Sequence, residues 1–191
     1  MKREIFEGKE YLVGYHSQEN RKNSELIEPI ECNASDAWLG TGYYFWVEEE
    51  FAKYYGEDYK TNKGKNTFDI YKANLQTANF LNTTFIENDY FLFKEIIEES
   101  IKKLQSADKS ITLLRVYEYL SDEYWRKLNI SGIIYDDLPN NKSKTRIQSP
   151  IKYEDNSLRI FYYKKRIQIV VFELKDICNF TLYLKNQKQE L

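Results

Sequence analysis

Two amphipathic helical patterns occupy the middle of this chain, and short apolar runs flank them on both sides. From Phe85 to Leu104, the residues Phe93, Ile96, Ile97, Ile101 and Leu104 recur at the spacing that gives a helix one apolar face. From about Ser110 to Leu128, Leu113, Leu114, Val116, Tyr117, Leu120 and Trp125 do the same. Before them, Tyr11–His16, Tyr43–Trp46 and Thr67–Leu75 read as strands, and Glu48–Tyr55 as a short helix burying Phe51, Ala52 and Tyr55. A second short helix is expected over Ser17–Ile27. After the helices, Gly132–Tyr135, Arg159–Tyr163, Ile167–Phe172 and Phe180–Leu184 read as strands. Asp136–Asn156 is polar, holds Pro139 and Pro150, and reads as the longest loop. The late strands do not alternate with helices, so the expected class is α+β, not a doubly wound sheet.

The chain is 191 residues long, which fits a single domain spanning 1–191. Its 28 basic and 30 acidic residues leave a net charge of -2 and exclude a globally basic nucleic-acid coat. Cys32 and Cys178 read as two free thiols. A zinc site would need the one histidine, His16, both cysteines and a carboxylate with no ligand spacing to support it, so no metal is expected. No apolar run approaches the ~20 residues of a membrane span. No apolar stretch follows the basic start, so no signal peptide is expected. These features predict a cytoplasmic protein without a membrane partner. No GxGxxG or P-loop string is present.

Three segments stand out together. Gly14-Tyr15-His16-Ser17 puts a histidine at the end of an apolar strand. Trp38-Leu39-Gly40-Thr41-Gly42-Tyr43-Tyr44-Phe45 begins 22 residues later. Ile167-Gln168-Ile169-Val170-Val171-Phe172 is a late strand with a polar residue near its start. This arrangement resembles the ADP-ribosyltransferase superfamily, in its diphtheria-toxin-like and PARP-like branch, and within it small bacterial toxin-like members. The resemblance is densest over residues 11–56 and continues in order at 67–81 and 130–180.

The resemblance implies a split β core of two packed antiparallel sheets, with a helical insertion at about 85–128. It implies NAD as co-substrate, held by His16, Ser17, Gly42, Tyr43 and Tyr44. His16 would donate to the adenosine ribose, and the Ser17 backbone would pair with the nicotinamide carboxamide. Tyr44 would stack on the nicotinamide ring. Gln168 would stand in the third-motif position, where a Glu is usual, and orient the ribose 2'-hydroxyl. The implied catalytic set is therefore His16, Tyr44 and Gln168. Gln brings no full charge to the oxocarbenium-like centre, so Glu173 or Asp176 is a candidate for compensation. Ser17 replaces the family's usual glycine, but its N–H and C=O remain available.

The implied activity is transfer of ADP-ribose to a macromolecular acceptor, protein or nucleic acid, with release of nicotinamide. The implied setting is a bacterial toxin of a toxin–antitoxin or phage-defence system, with an antitoxin protein as partner. Two alternatives stay open: an NAD glycohydrolase, and an inactive module binding an NAD-like ligand or a protein. Several features also have plain structural readings. Tyr43–Trp46 suits a core strand, Trp38 and Leu39 suit an anchor, and Glu48–Glu50 suit an acidic helix start. Lys142, Lys144, Arg146, Lys164, Lys165 and Arg166 are ordinary solvated charge unless they converge on a phosphate-binding edge.

Overall fold

The computed structural model describes residues 1–20, 25–34, 37, 39–61, 66–107, 111–137, 146–152, 158–162 and 164–188, with backbone alone for 146–152 and 158–162. The chain is mixed α+β. β1 (Arg3–Phe6) and β2 (Lys9–Glu19) form a hairpin through Glu7 and Gly8, both at positive φ, 49° and 77°. That two-residue geometry matches the right-handed twist of paired strands. The sequence reading missed β1, whose four residues give too short a pattern.

The expected helix over Ser17–Ile27 does not form. Ser17–Glu19 complete β2, and the antiparallel ladder to β4 (Phe68–Leu75) runs unbroken from Leu12↔Leu75 to Glu19↔Phe68. Residues 25–30 hold no helix, and 21–24 lie outside the described residues.

The main sheet runs β10–β4–β2–β3–β9–β6–β5, with β1 beside β2. Its further strands are β3 (Tyr43–Trp46), β5 (Phe80–Asn82), β6 (Gly132–Asp136), β9 (Ile167–Val171) and β10 (Ile177–Gln187). Only β5–β6 is parallel among its pairs. The two packed sheets of the expectation are thus one hydrogen-bonded sheet. The packing comes from a bend. Leu12, Ala73 and Leu75 on one half share a buried cluster with Ile134, Ile169 and Val171 on the other, around Phe45. A single register pair, Tyr15↔Trp46, joins the two halves.

The helices cover the opposite face. α1 (Glu49–Tyr55) buries Phe51 and Ala52 against Val13, Tyr15 and Trp46, then continues as a π-type turn, Gly56–Lys60. A Cβ on Gly56 would lie 2.2 Å from the Phe68 ring, so only glycine lets this turn sit so close. α2 (Glu87–Ser106) and α3 (Leu113–Leu120) pack Ile96, Leu104, Val116 and Leu120 with Ile133 and Val170. α3 starts at Leu113 because Thr112 caps it: its hydroxyl accepts the Arg115 N–H at 3.3 Å. It continues as a second π-type turn, Ser121–Trp125.

The long loop expected over Asp136–Asn156 is shorter than that. β7 (Arg146–Lys152) pairs antiparallel with β8 (Leu158–Tyr162), apart from the main sheet. Pro150, opposite Ile160, is compatible with a strand that has a free edge.

Candidate functional site

The three segments singled out in the sequence lie on neighbouring strands, β2, β3 and β9. β3 holds the middle place, and its two edges differ. Toward β9 it makes a full ladder, Tyr43↔Val171 to Trp46↔Gln168, extended by Val47 N–H to the Ile167 carbonyl at 3.1 Å. Hydrogen-bonding pairs alternate along an antiparallel ladder. Gly42, Tyr44 and Trp46 therefore direct their backbone groups to the other edge, and each meets a different partner there. Trp46 pairs with Tyr15 of β2. The Tyr44 carbonyl lies 2.8 Å from His16 Nδ1. Gly42 pairs in both directions with Cys32, at 2.8 and 3.0 Å. β2 and β3 separate as a wedge, and the His16 ring spans it.

Ser17 and Tyr44 would be the next pair in this register, but the described β2–β3 pairing is Tyr15↔Trp46 alone. On the β4 side, Asn20 N–H donates to the Thr67 carbonyl at 2.9 Å, and the pair Ser17↔Ile70 falls in the non-bonded phase of that ladder. The N–H and C=O of Ser17 thus face the wedge. The Ser17 hydroxyl is turned the other way and donates to the Ala52 carbonyl of α1.

His16 is buried, with its ring 5.7 Å from Phe45 and 6.1 Å from Phe180. Burial lowers its pKa to about 4, outweighing the Tyr44 carbonyl and Gln18, which favour the proton; Lys60 adds to the lowering. The neutral ring then donates from Nδ1 to Tyr44 and keeps Nε2 as an acceptor. Among the described residues Nε2 has no hydrogen-bond partner. The sequence reading made His16 a donor to its ligand; this tautomer makes it an acceptor.

Tyr44 is half-buried. Its hydroxyl donates to the Gly40 carbonyl at 2.6 Å and accepts the Leu39 N–H at 3.0 Å, and burial raises its pKa. Both bonds fix the ring on the glycine turn, where Gly40 sits at φ 84°. Leu39 is buried as the expected anchor; Trp38 lies outside the described residues. Tyr43 is partly buried with Phe45 on the opposite face. The sequence reading took Tyr55 for core alone. Its ring lies 5.9 Å from Trp46 and 5.0 Å from Tyr59. Helical periodicity gives it the same signature as a core residue, so the sequence held no signal for it.

Gln168 is buried opposite Trp46 and Tyr135. It shares the face of Tyr44, as a diagonal neighbour, while alternation puts His16 on the Phe45 face. The predicted residues come together across neighbouring strands but not on one face. Glu173 and Asp176, the candidates for supplying the missing charge, both lie past the far end of β9. Glu173 also pairs with Lys175. The charge beside Gln168 is a neutral pair: Arg166 lies 3.0 Å from Asp137 and 4.8 Å over the Trp46 ring.

Of the six late basic residues, the three whose side chains are described are paired with carboxylates, Arg166 with Asp137. Lys164 pairs with Glu48 and Glu50 at the start of α1, and Lys165 with Asp136 at 3.8 Å. Lys142 and Lys144 lie outside the described residues, and Arg146 is described by backbone alone.

Two surface concavities, of about 530 and 680 Å³, are lined by neither His16, Ser17, Tyr44 nor Gln168. Cys32 and Cys178 are both free. Among the described residues, no three His, Cys, Asp or Glu side chains are grouped to hold a metal ion. No described helix is long and apolar enough to cross a membrane. Compared with protein-family models, curated proteins and solved structures, the chain matches none.

Proposed function

We propose that this protein transfers ADP-ribose from NAD to a macromolecular acceptor and releases nicotinamide. The observation that carries the reading is the wedge between β2 and β3, where the Ser17 backbone has no strand partner and, among the described residues, His16 Nε2 has no hydrogen-bond partner. A carboxamide offers one N–H donor and one C=O acceptor, the complement of a free strand edge. The nicotinamide amide pairs with Ser17, between the aromatic walls of Tyr44 and Tyr55. His16 Nε2 accepts a hydrogen bond from a ribose hydroxyl. Gly42 and Tyr43 carry the strand past the ligand. Gln168, on the Tyr44 face, orients the 2'-hydroxyl of the nicotinamide ribose through its amide dipole. The setting that goes with this activity is a bacterial toxin of the cytoplasm, held in check by a protein partner.

A second reading, an NAD-binding module without turnover, is favoured by the neutral Arg166–Asp137 pair beside Gln168, which supplies no net negative charge to an oxocarbenium-like centre. One experiment separates the readings. Adenine-labelled NAD is incubated with a bacterial lysate and either the wild type or His16→Ala, and released nicotinamide is measured. The label is then divided into protein, RNA, DNA and small-molecule fractions. The transferase reading predicts release that falls about a hundredfold in the variant, the scale of losing one positioned polar group, with label in a macromolecular fraction. Label recovered only as free ADP-ribose identifies a glycohydrolase. Folded wild type that binds NAD and releases nothing identifies the binding module.

A further inference from the structure

On the helical side, the cavity of about 530 Å³ lies between the glycine turn at Gly40 and the outer part of α3. Glu31, Glu118, Asp122 and Glu173 bring four carboxylates to its wall, and Arg126 brings one guanidinium. Lys175 pairs with Glu173, which leaves a surplus of two negative charges. The floor is aromatic. Phe93, Trp125 and Phe172 form one column, with ring centroids 6.3 and 6.1 Å apart and planes within 9° and 14°. Phe172 ends the column, is half-buried and lines the cavity. Tyr117 also lines it, 9% exposed. Leu114, 36% exposed, adds an apolar contact to the otherwise polar wall.

We propose that this cavity receives an arginine side chain presented by a polypeptide partner. A guanidinium is planar, so it extends an aromatic column by stacking while its N–H fork reaches carboxylates. The Tyr117 hydroxyl accepts one further N–H. Exposed Leu114 offers a contact to the body of a polypeptide, and the surplus of carboxylates repels a phosphate backbone. None of His16, Ser17, Tyr44 or Gln168 lines it, so the test below needs no NAD.

The test is fluorescence anisotropy with a fluorescein-labelled Gly-Arg-Gly-Arg-Gly peptide and the full-length protein. Glu118→Gln/Asp122→Asn removes two charges from the wall; Glu95→Gln/Glu98→Gln removes the same charge from the exposed face of α2. The cavity variant is expected to bind about tenfold more weakly, and the α2 variant within about twofold of wild type. Tyr117→Phe, which removes one oxygen from a packed ring, is expected to weaken binding about threefold, and the lysine counterpart of the peptide to bind more weakly than the arginine one. The proposal fails if folded wild type does not bind the peptide, or if both charge variants weaken it equally. It also fails if spermidine or a single-stranded oligonucleotide displaces the peptide at equal concentration.

Discussion

The two edges of β3 show how one strand of four residues can serve two purposes. Its β9 edge is an ordinary ladder, and nothing on that edge is left for a ligand. Its β2 edge has a strand partner at Trp46, a histidine ring at Tyr44 and a loop residue at Gly42. Backbone groups are obligatory hydrogen-bonding groups, so a strand edge that loses its neighbour must find other partners. Here His16 satisfies the Tyr44 carbonyl, and the Ser17 N–H and C=O have no partner in the described β2–β3 pairing. The regular edge holds the strand in place; the irregular edge presents recognition groups.

Three perturbations sharpen this contrast. The largest concerns His16. Its folded pKa of about 4 lies below the unfolded 6.5, so the unfolded chain binds more protons between those values. The stabilisation is fully present above pH 6.5 and is lost as pH falls through 4, about 3 kcal/mol in all. Urea unfolding at pH 7 and pH 4.5 should show this loss in wild type and not in His16→Asn, which can still donate to Tyr44 but has no ring to titrate. Parallel losses in the two proteins would break the account of a neutral bridging ring.

Gly42→Ala tests the crowded edge. The new Cβ would lie 2.7 Å from the Val170 side chain and 2.8 Å from the Val171 carbonyl, and backbone cannot give way cheaply. A loss of about 2 kcal/mol is expected in urea unfolding. A change under about 0.5 kcal/mol would mean that β3 is looser against β9 than the ladder implies. Tyr44→Phe removes a hydroxyl that holds both Gly40 and Leu39. About 1 to 2 kcal/mol of stability should be lost, with faster amide exchange at Leu39. Unchanged exchange there would show that the glycine turn does not depend on Tyr44.

How far the sequence reached depends on how local each signal was. α1, α2 and the strands around Tyr43, Phe68 and Ile167 were legible because each carries its own apolar period. β1, β5 and the end of β2 were not, since three or four residues, or a polar run such as Ser17–Glu19, gain strand character only from a distant ladder. The same limit governs the site. His16, Tyr44 and Gln168 were visible as motif positions, and their strands are indeed neighbours. Which face each occupies was not visible, because a face follows from register between strands far apart in the chain. The pairing of Lys164, Lys165 and Arg166 with Glu50, Asp136 and Asp137 was hidden for the same reason. The cavity beside Gly40 was also hidden: its carboxylates come from Glu31, α3 and the end of β9, and no sequence window contains them.

The most direct measurement uses the fact that the chain has one histidine. A nitrogen-15 spectrum of histidine-labelled protein contains a single imidazole, so its tautomer, its titration and its response to NAD can be followed together. The account predicts a neutral ring at pH 7 with the proton on Nδ1, a titration midpoint of about 4, and a shift of the Nε2 resonance on adding NAD. A ring that titrates near 6.5 and does not respond to saturating NAD would contradict both the bridging geometry and the function built on it.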